Sequence, residues 1–161
     1  MGNCWILAER MVCTWGSLMN NPDPLKSHPG TTMTIYDLIP KDKGDLETAE
    51  KLWHFSPEEI MPIVPDLLMW LQDLHWPVSE PVSKYLQAIS EHLTDEILEI
   101  LKGNDNEWKY SIIVVFGART EKHINPRLVD EIRRIATDPT PGEQAEDVDD
   151  IAKEVISRYT L

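Results

Sequence analysis

The chain has 161 residues and sets 28 Asp and Glu against 15 Lys and Arg, a formal net charge of −13, at a length that suits one domain able to bury its own core. This balance excludes a nucleic-acid or anionic-membrane surface, because phosphate binding takes clustered Lys and Arg. Here Lys41 with Lys43 and the pair Arg133 and Arg134 stand beside acids that cancel them. A basic protein partner suits the surface better, since complementary charge speeds encounter.

Residues 1–33 read as a flexible N-terminal extension, with a short helix over Ile6 to Leu18 followed by the turn-rich stretch NNPDPLKSHPGTT, which holds no regular element. The start carries Met1-Gly2 and then Cys4, as an acylation signal does. Ile6 stands where a Ser or Thr belongs, and that argues against membrane tethering. A signal peptide is opposed by Glu9 and Arg10 inside the apolar run. Cys4 and Cys13 are the two cysteines; they form no disulfide framework or metal knuckle and fit a reducing compartment. With no apolar run of spanning length, a soluble, cytoplasmic protein is expected.

The domain proper is expected over 34–161, and it reads as helical throughout. Asp45 caps a helix to about His54, with Leu46, Ala49, Leu52 and Trp53 on one side. Ser56-Pro57-Glu58-Glu59 supplies an N-cap, a proline at N1 and a glutamate that closes a capping box. Pro62 and Pro65 then force a short turn near Ile60 and a fresh start leading to Asp73. The next helix begins after Trp76-Pro77, with Ser79 as its cap, and reaches Ser90. Thr94 opens another that stops at Lys102-Gly103, a basic residue before a C′ glycine. Asn104 or Asp105 caps a helix through Trp108, Ile112 and Phe116, in which SIIVVF is a buried helix because one isolated strand has nothing to pair with. Asn125-Pro126 begins a helix closed by Asp138-Pro139, and Thr140-Pro141-Gly142-Glu143 starts a last one to about Tyr159.

A shift of 30 places sets Leu68 on Leu98, Leu71 on Leu101, Val78 on Trp108, Val82 on Ile112 and Leu86 on Phe116. A shorter helix, a polar corner and a longer helix thus recur, the unit of a two-helix solenoid. A looser third copy follows, with Leu128, Ile132 and Ile135, then Val148, Ile151, Val155 and Ile156. The fold class expected is all-α: a short HEAT-like α-solenoid of about three helical hairpins with an N-terminal extra helix.

The runs LIPKDKGDLETAEKL, SPEEIMPIVPDLLMWLQDLHWPVSEPV, ILKGNDNEWKYSIIV and EIRRIATDPTPGEQAEDVDDIAKEVI resemble the family of small acidic proteins known as domain of unknown function 5071. The resemblance covers about Tyr36 to Ser157 and leaves residues 1–33 outside. It implies an all-α, HEAT-like fold and no established activity.

Stacking the repeats would bring Asp73, His75, Trp76, Trp108, Lys109 and Tyr110, all at the two corners, to one edge. Two roles fit them. As a partner-binding face, aromatic rings beside a carboxylate and a lysine receive a cationic or peptide group. As packing, Trp70, Trp76 and Trp108 fill the corners and Asp73 caps a neighbouring helix. Asp73 with His75 forms an oriented base, but no nucleophile accompanies it, since Ser79 and Ser83 lie on the helix. His28, His54, His75, His92 and His123 are scattered without a His-x3-His pair, so no metal is expected. The acids from Glu143 to Asp150 crowd the start of the last helix, where its dipole favours them. They have no Gly-x-Asp loop and no phosphate-binding glycine loop beside them, so no cofactor is expected either. The expectation is a non-enzymatic protein-interaction module with an acidic, aromatic-flanked face. An immunity or inhibitor-type protein that masks a basic partner, and a small enzyme using the Asp73 and His75 corner, are its alternatives.

Overall fold

A computed structural model describes residues 34–159; the expected extension over 1–33 and its short helix lie outside the described residues. Among those described, the fold is helical without strands. A 3₁₀ turn over Ile35–Leu38 leads to α1 (Leu46–Lys51), where Asp45 accepts from the Thr48 N–H at 3.2 Å. Ala49 and Leu52 are buried, but Leu46 and Trp53 are exposed, Trp53 by 55%. The helix gives way to a 3₁₀ turn at Leu52–His54, and that tighter winding carries Trp53 off the stripe its spacing predicted. Its ring instead meets buried Tyr85 edge-on at 5.3 Å, and burial beside Glu59 and Glu58 pushes the Tyr85 phenol up to about 12.

The proline-driven starts form where expected. Ser56 and Glu59 close a capping box on α2 (Pro57–Ile60), a 3₁₀ turn follows over Met61–Ile63, and α3 runs over Val64–Met69. Next come α4 (Ser79–Ala88) and α5 (Thr94–Lys102). Gly103 ends α5 with φ −67 rather than a left-handed turn; a Cβ there would lie 3.1 Å from the Ile100 carbonyl oxygen, a close approach that favours glycine. Asp105 caps α6 (Asn106–Ile113) through the Trp108 N–H at 3.0 Å. SIIVVF is helical and buried, and its second half winds wider as a π-helical turn over Val114–Ala118. Gly117 lets this turn lie against the last helix, for a Cβ would fall 2.9 Å from Val155.

Asn125 caps α7 (Pro126–Thr137). The single last helix expected from Thr140 is instead two, α8 (Pro141–Ala145) and α9 (Val148–Ser157), broken at Asp147 with φ 53. Aspartate is among the side chains that tolerate this conformation best. The break lets α9 lie along α7, the most extensive helix–helix contact among the described residues. Around these, α5 packs on both α6 and α7, α6 on α9, and α1 on α4. One apolar core links the elements, from Leu38 through Leu71, Leu86 and Ile113 to Val155.

Lys109, expected on an exposed edge, is buried. Its ammonium lies 2.7 Å from Glu143 Oε1, with side-chain exposures of 5% and 0%. Arg134 of α7 grips the same carboxylate with Nη1 at 2.9 Å and Nη2 at 2.7 Å, and the Thr140 N–H donates to it at 2.8 Å. These partners, Arg134 foremost, outweigh burial and hold the Glu143 carboxyl far below the usual carboxylate range. Helix geometry explains the misplacement: adjacent residues project about 100° apart, so Trp108, Lys109 and Tyr110 fan around α6 rather than share an edge.

Replacing Glu143 with Gln strands Lys109 in the core, and the expected loss is about 3–5 kcal/mol of unfolding free energy by urea titration. With its folded pKa lowered, Glu143 stabilises the fold above its unfolded pKa of about 4.3. That contribution is lost as pH falls through the folded value, so the wild-type profile should fall more steeply below about pH 4 than that of Glu143→Gln.

Candidate functional site

The corner between α3 and α4 is built by short polar contacts. Asp73 Oδ1 accepts from the His75 backbone N–H at 2.9 Å and lies 3.0 Å from His75 Nδ1, an Asx-type turn. The backbone N–H holds the Asp73 carboxyl below its ordinary value, with the imidazole and Lys43 acting in the same direction. Asp73 therefore closes its own turn rather than capping a neighbouring helix. Ser79 is likewise not a cap: its hydroxyl donates to the carbonyls of Trp76 at 2.7 Å and Leu74 at 3.1 Å, inside the first turn of α4.

α6 docks on this corner through Trp108 Nε1, which donates to the Leu68 carbonyl at 3.2 Å, and Ser111 Oγ, which donates to that of Gln72 at 3.4 Å. Between the corner and the other side of α6 opens a concavity of about 600 Å³. One wall is Asp73, Leu74 and His75; a second is the α6 face of Glu107, Tyr110, Ser111 and Val114. Glu146 and Asp147, at the break between α8 and α9, also line it, with Arg119 just past the π-helical turn. Three of the six expected residues, Asp73, His75 and Tyr110, thus meet here.

The other three lie apart. Trp76 sits edge-on to Trp70 at 5.7 Å, with the Lys43 ammonium 4.3 Å from its ring, in a shallow groove with Met69 and Ile39. Trp108 lines a separate groove with Leu68 and Ile100, and Lys109 is held in the buried cluster.

Sequence reasoning missed Glu107, Arg119, Glu146 and Asp147. For Glu107 the signal was available, because 107, 110, 111 and 114 follow the i, i+3, i+4, i+7 rule for one helix face. Glu146 and Asp147 depend on a helix break that no proline or glycine marks.

The concavity sets four carboxylates, Asp73, Glu107, Glu146 and Asp147, against one guanidinium, Arg119, which forms no ion pair among the described residues. Its field favours a cation. The His75 side chain is 98% exposed, and among the described residues its ring bonds to Asp73 and to no nucleophile. No group of three or more His, Cys, Asp or Glu there is placed to hold a metal ion, and no described helix is long and apolar enough to cross a membrane.

Fold and site define an all-helical protein with an acid-lined concavity at a helix corner. The chain belongs to the family described as domain of unknown function (DUF5071), whose model matches residues 38–156. No curated protein matches it.

Trp108→Phe removes the indole donor and leaves the Leu68 carbonyl with backbone partners only, among them the Leu71 N–H at 3.0 Å, and the expected cost is about 1 kcal/mol of stability by denaturant titration. An unchanged midpoint would show that this bond does not seat α6 on the corner.

Proposed function

We propose that the chain is a non-enzymatic protein-interaction module whose α6 concavity receives a cationic segment of a basic partner. One observation carries this reading: four carboxylates and a single guanidinium, without an ion pair among the described residues, line one concavity of about 600 Å³, on a chain of net charge −13. Tyr110, half-exposed among them, adds a ring over which an arginine or lysine can stack. Masking a basic surface, as an inhibitor or immunity-type protein does, is the form of this role that the charge favours.

The scaffold we infer is a short HEAT-like stack. Its support is the pairing of first helix with first and second with second, α5 on α7 and α6 on α9. The expected offset also fits: α4 ends at Ala88 and the π-helical turn at Ala118. The wall supplied by Glu107, Tyr110, Ser111 and Val114 belongs to a packed helix and its π-helical turn, and a wall that keeps its shape before binding lowers the cost of association.

The test is an NMR titration of the full chain with a short arginine–glycine peptide and with its citrulline counterpart, which has the same shape without the charge. The arginine peptide should shift amides at Asp73–His75, Glu107–Ser111 and Glu146–Asp147 and weaken with added salt. The Glu107→Lys/Glu146→Lys variant should bind it about tenfold more weakly or worse. Equal binding by that variant, or shifts confined to other surfaces, would overturn the assignment.

A further inference from the structure

A second groove, of about 330 Å³, lies beside the N-terminal half of α6 and shares no lining residue with the concavity. Its floor is apolar. Leu68 is buried, Ile100 and Trp108 are partly so, and the indole is fixed because its N–H is spent on the Leu68 carbonyl. Its rim is acidic. Glu96 and Glu99 stand with Ile100 on one face of α5, at the i, i+3, i+4 spacing, and neither forms an ion pair among the described residues. Asp105 adds a third carboxylate, with one oxygen engaged by the Trp108 N–H.

An apolar side chain alone would fill this floor but partly desolvate carboxylates that have no cation, an uncompensated cost. An occupant with an aliphatic stem and a charged head meets both demands, the stem on Leu68 and Ile100 and the head at the rim. A planar guanidinium also stacks on an indole better than an ammonium does. We infer that the Trp108 groove is a second docking point, an arginine pocket for the same basic partner. The inference rests on the interaction-module reading for the partner, though not on the concavity for its residues. Glu107 and Trp108 are neighbours on α6 yet line different hollows, so the partner grips this helix from two sides.

The experiment is the titration with the arginine–glycine peptide, read at the indole N–H of Trp108, which is assigned from its loss in Trp108→Phe. The resonance should move with the arginine peptide and stay fixed with the citrulline one. Glu96→Lys/Glu99→Lys, which alters only rim residues, should weaken binding about fivefold to tenfold. If the concavity amides move while the Trp108 indole does not, and the rim variant binds as wild type does, the arginine pocket falls and the concavity stands. Movement of the indole with rim dependence, but none on Glu107 and Glu146, would instead sink the concavity and keep the pocket. Indole shifts equal for both peptides would overturn the charge requirement, and no binding at all would overturn both readings.

Discussion

A carboxylate without exposed surface, Glu143, sits between Lys109 of α6 and Arg134 of α7, while its own helix, α8, presents it there through a capping box with Thr140. Burying such a charge is unfavourable unless its oxygens are filled. Here two cations and a backbone N–H fill them, and Arg134 is held in turn by Glu131 at 2.9 Å. The geometry leaves little slack. α6, α7 and α8 must all be in place before the cluster is complete, so it fixes their mutual register as an apolar contact, tolerant of sliding, does not.

The same cluster shapes the surface. Lys109 is the one cation of α6, and once it is drawn inward the exposed charge of that helix is Glu107 alone. Had Lys109 stayed in solvent, it would have lain within a helix diameter of both hollows. The buried ion pair thereby keeps one side of α6 acidic at Glu107 and leaves the Trp108 side to Glu96 and Glu99 of α5.

What could be read from the chain divides along a physical line. Caps and starts depend on neighbours in sequence, so Asp45, Ser56, Asp105, Asn125 and Thr140 all act as their residue types and spacing indicate. The corner residues Asp73 and His75 were also legible as a pair, because their contact spans two positions. The full site was not. Which face of α6 meets the corner, and where Lys109 goes, are settled by helices far apart in sequence, and a 30-residue offset carries no information on rotation about a helix axis. The stripe of Glu107, Tyr110, Ser111 and Val114 was present in the sequence, hidden by taking Trp108, Lys109 and Tyr110 as one group.

The helices α7 and α9 fit the 30-residue offset least and yet make the most extensive helix–helix contact among the described residues. These facts are compatible, because helix packing asks for an apolar stripe, supplied by Leu128, Ile132, Ile135, Val148, Ala152 and Val155, and not for equal spacing. The additional length goes into α8 and the left-handed turn at Asp147. That insertion carries Glu143 at its start, directed into the ion cluster, and Glu146 with Asp147 at its end, lining the concavity. A direct connection from α7 to α9 would have had no α8 to supply either. The departure from periodicity thus contributes both the carboxylate that locks the helices together and two of the acids that give the hollow its charge.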